Sequence, residues 1–109
     1  MDKVKKGNIF SKEPSDKSKE IFETIIQSKN CKIERIISHG QETTKGKWYN
    51  QEENEFVIVL KGNAKILFEN KETIALKEGD YIDIPKNIKH RVEETSDKEG
   101  TIWLAVFYK

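Results

Sequence analysis

Glu55-Phe56-Val57-Ile58-Val59-Leu60-Lys61-Gly62 and Gly79-Asp80-Tyr81-Ile82-Asp83-Ile84-Pro85-Lys86-Asn87-Ile88-Lys89-His90 are the two stretches on which the fold turns. The first is rich in β-branched and aromatic residues, and strand side chains alternate between faces. Glu55, Val57 and Val59 therefore share one face, and Phe56, Ile58 and Leu60 the other. Both faces are apolar, so this strand needs cover on both sides. The second stretch holds a short strand, Tyr81 to Ile84, between a Glu78-Gly79-Asp80 turn and a Pro85-Lys86-Asn87 corner. Lys89 to Glu94 then resumes as a strand, with His90, Val92 and Glu94 on one face and Lys89, Arg91 and Glu93 on a wet opposite face.

The same punctuation extends outward. Glu20 to Gln27 and Lys32 to Ser38 read as a hairpin about Ser28-Lys29-Asn30, with Ile33, Arg35 and Ile37 on one face of its second strand and Glu34 and Ile36 on the other. His39 to Lys47 has two glycines and no apolar residue, and is a loop. Trp48-Tyr49 starts a short strand, and Asn50 to Asn54 is an acidic turn. Gly62-Asn63 is a tight connection, and Ala64 to Glu69 pairs with Glu72 to Leu76 around Asn70-Lys71, where Asn tolerates positive φ. Ser96 to Gly100 turns, and Thr101 to Tyr108 closes the chain as a strand apolar on both sides. Short strands, frequent turns and no long helical pattern predict an all-β sandwich or barrel.

With 109 residues there is room for one domain, read as residues 20–109 behind a polar arm over residues 1–19 that Ile9-Phe10 would anchor. Twenty basic against nineteen acidic residues leave a formal charge of +1, which gives no field for nucleic acid or an anionic membrane. No apolar stretch is long enough to span a bilayer and the polar start has no signal-peptide core, so the cytoplasm is the expected location. Cys31 is the only cysteine, which excludes an intrachain disulfide, and it reads as passive. A chain this short with an apolar Phe56, Ile58, Leu60 face is expected to form a homodimer.

Glu55 followed after six residues by Gly62, together with Gly79, Pro85 and His90, resembles the second half of the first cupin motif and most of the second. Asn87 stands where that family has a second Gly, and Glu94 where it has Asn. The resemblance covers roughly residues 31 to 108 and implies a double-stranded β-helix of the jelly-roll kind. In that family the metal is held by two His and the Glu of the first motif and the His of the second. Glu55 and His90 match two of these positions, while the His-x-His pair falls on Tyr49 and Gln51, or on Trp48 and Asn50.

Three roles are open to a facing carboxylate and imidazole: metal ligation, fixing a polar ligand, and acid–base chemistry. His39 would complete a metal set with Glu55 and His90 if the face it shares with Arg35 and Ile37 is the inner one. Any divalent ion so held, whether iron, manganese, nickel or zinc, would be held weakly, because amide and phenol oxygens are poor substitutes for imidazole. Trp48, Tyr49 and Gln51 join Glu55 and His90 as candidate ligand contacts, and Trp103 is a further candidate for an aromatic wall. The resemblance thus implies a small single-domain cupin binding a small polar molecule in its barrel, with or without such a metal. The alternative is a non-catalytic ligand-sensing or interaction module.

Overall fold

The computed structural model describes residues 3–96 and 98–109, so residues 1 and 2 of the expected arm and residue 97 of the expected turn lie outside the described residues. Among the described residues eight strands follow one another: β1 (Ile21–Gln27), β2 (Cys31–Ser38), β3 (Asn54–Lys61), β4 (Asn63–Phe68), β5 (Thr73–Lys77), β6 (Tyr81–Ile84), β7 (His90–Thr95) and β8 (Thr101–Tyr108). They form two antiparallel sheets, ordered β1-β2-β8-β3-β6 and β5-β4-β7. The expected jelly-roll class is what the chain adopts. β8, apolar on both faces, occupies the centre of the larger sheet, where it pairs along its length with β2 and β3.

Between the sheets lies one core of Ile36, Val57, Val59, Ala64, Ile66, Leu76, Trp103, Ala105 and Phe107. Val57 and Val59 point into it, as alternation from Glu55 requires. Leu60 departs from the simple pattern: Val59 pairs with Trp103 and Lys61 with Ile102, so Leu60 is the extra residue of a β-bulge.

A second bulge corrects the reading of β7. Lys65 pairs with Glu94 but Ile66 pairs with Val92, leaving Glu93 unpaired. The extra residue reverses the alternation, so Glu94 is exposed beside Lys65 and Thr95 is buried instead. Arg91 is not on a wet face either. It is buried, donating to the Thr43 carbonyl at 2.9 Å, which fastens the 40–47 loop over β7.

Two local expectations also change. In the β4–β5 connection the positive φ falls on Lys71, at 70°, while Asn70 accepts a hydrogen bond from the Glu72 N–H through its side chain. In the arm, Phe10 is half exposed and does not act as the anchor. Arg35 does: its guanidinium donates to the Glu23 carboxylate and to the carbonyls of Ile9 and Ser11 at 2.7, 3.1 and 2.6 Å. Two arm carbonyls thus share one buried cation with the Glu23 carboxylate of β1, which neutralises it, and so tie the arm to the sheet. Trp48 and Tyr49 form no strand; Tyr49 makes a single bridge to His90.

Candidate functional site

The corner that ends β6 sets the site. Asn87, standing where a glycine was expected, has φ of 66°, a left-handed conformation that Asn tolerates better than most residues. Its N–H donates to the Gln51 carbonyl at 2.8 Å, and Tyr49 and His90 exchange two backbone hydrogen bonds of 2.7 and 3.0 Å. The 47–53 segment is thereby tied to the start of β7, and the Tyr49 ring stacks on the His90 ring with centroids 5.8 Å apart. Phe68 packs on the imidazole at 6.2 Å.

Glu55 reaches toward His90 from β3, where its neighbours are Phe107 and Ile84. Its Oε1 accepts from the Gln51 amide at 2.6 Å and lies 3.2 Å from His90 Nε2. His90 Nδ1 lies 2.9 Å from the Ile88 carbonyl, which can only accept, so Nδ1 carries a proton. A contact between Nε2 and Glu55 then requires one more proton, giving an imidazolium beside a carboxylate or a neutral imidazole beside a carboxylic acid. Burial disfavours the His90 cation, but the hydrogen bonds to Glu55 and the Ile88 carbonyl and the Glu55 charge outweigh it, and the imidazole pKa is raised.

These groups open into a cavity of about 70 Å³ whose wall is mostly apolar, with Ile36, Val57, Ile66, Val92, Trp103 and Phe107 around Tyr49, Gln51, Glu55 and His90. Glu20 and Phe22 complete the lining. Neither was singled out by the sequence. Glu20 precedes β1, and Phe22 pairs with Ile36 of β2, so both lie on the inward face of the hairpin. Trp103 Nε1–H donates to Ser38 Oγ at 3.3 Å, and the Ser38 hydroxyl donates to the Glu20 carboxylate. Burial raises the Glu20 pKa against the lowering effect of Ser38. Tyr49 is also raised, first by burial and then by the charges of Glu20 and Glu55.

Of the predicted site residues, Tyr49, Gln51, Glu55 and His90 come together in the cavity. Trp48 lies outside it, against a neighbouring surface depression shared with Glu20, Thr43 and Lys47. The expected metal set with His39 does not form. Ile36 and Ser38 are the inward residues of β2, so His39 shares the outward parity of Arg35 and packs its ring where a Gly100 side chain would lie. Among the described residues, no three His, Cys, Asp or Glu side chains gather to hold an ion. Glu55 and His90 are two donors, Gln51 turns its amide N–H and not its oxygen to Glu55, and this set does not fit a tightly bound transition metal.

The Cupin domain family model matches residues 36–107. Comparison with curated proteins gives no match. Among solved structures, the chain is similar to a candidate mannose-6-phosphate isomerase from Ralstonia eutropha JMP134, with 38% identity, 97% of this chain and 99% of that one covered, and a TM-score of 0.93. It is also similar to an RmlC-like cupin protein from Desulfovibrio desulfuricans at 18% identity, with 96% and 97% covered and a TM-score of 0.75. HppE in its iron(II) form matches at 14% identity over 82% of this chain and 50% of that one, with a TM-score of 0.69. These last two likenesses are of fold alone. The eight-stranded jelly roll, the Glu55 and His90 positions that meet inside it and the family match over residues 36–107 place the chain in the cupin family.

Proposed function

We propose that this cupin binds a small polar molecule in the barrel, held by Glu55 and His90 against an aromatic and aliphatic wall. The observation that supports this reading is the incomplete pairing of a largely buried carboxylate. Glu55 Oε1 takes both the Gln51 and His90 contacts, and among the described residues no side-chain or backbone donor reaches Oε2. An acceptor so placed, beside a cavity, suits a ligand hydroxyl or amine. Residues 20–109 are the binding unit, and the protein acts in the cytoplasm.

The test is amide NMR titration with small hydroxy and amino compounds. Ligands should shift the Tyr49, Gln51 and His90 resonances, and Glu55→Gln should weaken them at least about tenfold, about 1.4 kcal/mol, while the variant stays folded. Shifts that instead map to the outer sheet face would refute the assignment of this cavity.

A second reading is proton transfer within the bound ligand. It is supported by the proton that Glu55 and His90 must share and by the likeness to a candidate mannose-6-phosphate isomerase, since aldose–ketose interconversion moves a proton between adjacent carbons. The competing possibility, a sensor without catalysis, predicts ligand binding with no turnover of any bound compound.

We also propose a homodimer. The outer face of the larger sheet carries Ile33, Val106, Leu104, Ile58 and Phe56 in adjacent cross-strand positions, half buried, with Tyr81 exposed at the edge against Phe56. The arm lies across the Arg35 side of this sheet, while Tyr81, which packs on Phe56 at the other edge, is exposed. Light scattering at micromolar concentration should give twice the 12.7 kDa chain mass. A strict monomer would assign all the cover to the arm.

A further inference from the structure

We propose that the molecule taken by this cavity carries a protonated amine, seated between Glu20 and Glu55 and faced by the Tyr49, Trp103 and Phe107 rings. This inference rests on the proposal that the cavity binds a small polar molecule, and specifies its charge. Glu55 and His90 hold one shared proton beyond the Nδ1 proton, so the pair is neutral overall wherever that proton sits. Glu20 is not part of that pair. Its partner is Ser38, whose oxygen already accepts the Trp103 indole N–H, so the Ser38 hydroxyl proton points to the Glu20 carboxylate. The accepted Ser38 proton favours the ionised form of Glu20 while burial opposes it and raises the pKa, so a cation seated beside this carboxylate supplies the charge that burial leaves uncompensated.

With Glu20 ionised the cavity carries a net charge of −1, and among the described residues no lysine or arginine lines it to offset that charge. Lys47 stands in the adjoining depression, but Glu42 stands there with it. A monovalent cation balances the site; a phosphate or carboxylate would meet two acidic side chains in a setting of low dielectric. The walls add to the same preference, because Phe22, Tyr49, Trp103 and Phe107 line the cavity with Glu20 and Glu55, and aromatic rings attract cations. The oxygens left without protein donors supply acceptors for ammonium N–H groups.

Propylammonium, propanol and propionate share one carbon skeleton and differ in charge, and each is titrated into the full-length protein at neutral pH with amide NMR detection. Propylammonium should bind about tenfold more tightly than propanol, and propionate most weakly. Glu20→Gln should erase the gap between amine and alcohol, and an amide spectrum unchanged away from the cavity shows that the variant is folded. Propionate binding as tightly as the amine, or a gap that persists in Glu20→Gln, would overturn the inference while leaving a small-molecule cavity in place. If none of the three shifts the cavity resonances, the cavity reading itself fails and the amine assignment falls with it.

Discussion

Gly62→Ala is expected to cost about 3–5 kcal/mol, most of the stability of a small domain, whereas Gly79→Ala should cost about 1–2 kcal/mol. Both glycines belong to the paired motifs and both have positive φ, 82° and 90°. A side chain is strained at either position. Only at Gly62 does it also collide: a Cβ there would stand 2.3 Å from the Gly100 carbonyl oxygen and 2.8 Å from Thr101 Oγ1. The backbone oxygen has nowhere to go, because Gly100 is itself packed against His39 and Ser38, and the Thr101 hydroxyl is committed to the Asn63 carbonyl. At Gly79 the space is open, so only the backbone strain is incurred. Urea midpoints of the two variants measure the difference. Equal costs would mean that the β3–β4 crossover relaxes more easily than this packing implies.

What the sequence disclosed about the site followed from spacing and period. Glu55 and His90 could be brought together because each sits on a strand whose alternation carries recognisable inward residues, Val57 and Val59 in one case and Val92 in the other. The alternation failed at Glu94, where a one-residue bulge at Glu93 reversed the faces, and nothing in the local residue types marks that bulge. His39 failed for a different reason. Choosing the inner face of β2 depends on its register with β8, which sets Ile36 beside Trp103 and Arg35 beside Leu104. Arg35 was the available signal, since a cation shared the face proposed for a metal ligand. The Trp103, Ser38 and Glu20 chain was not legible, because its members lie in three strands or strand approaches and meet only when both sheet pairings are known. The Asn87 substitution, in contrast, proves harmless in physical terms, because the position demands a left-handed backbone and Asn can supply it.

Glu55→Gln should invert the pH dependence of stability around neutrality. In the wild type the folded His90 pKa is raised, so its contribution is fully present below the unfolded value of about 6.5 and is lost as pH rises through the folded value. Glu55→Gln removes the charge and the hydrogen bond that raise the imidazole pKa, and leaves burial, the largest influence, opposed by the Ile88 carbonyl alone. The folded value should then fall below the unfolded one. Stability in the variant should therefore decline as pH falls through about 6.5, the opposite slope, with about 1.4 kcal/mol gained or lost for each unit separating the folded and unfolded values. Tyr49 does not confuse the comparison, because burial and the two carboxylates hold its phenol above the ordinary range and neutral throughout the window. Glu55→Ala should be worse at every pH, by about 3 kcal/mol, since it leaves both the Gln51 amide and His90 Nε2 without their shared acceptor. Urea unfolding of wild type and Glu55→Gln in parallel across this range cancels the groups common to both. Parallel curves would show that His90 does not share its proton with Glu55, and would remove the basis for reading the pair as a proton-exchanging site.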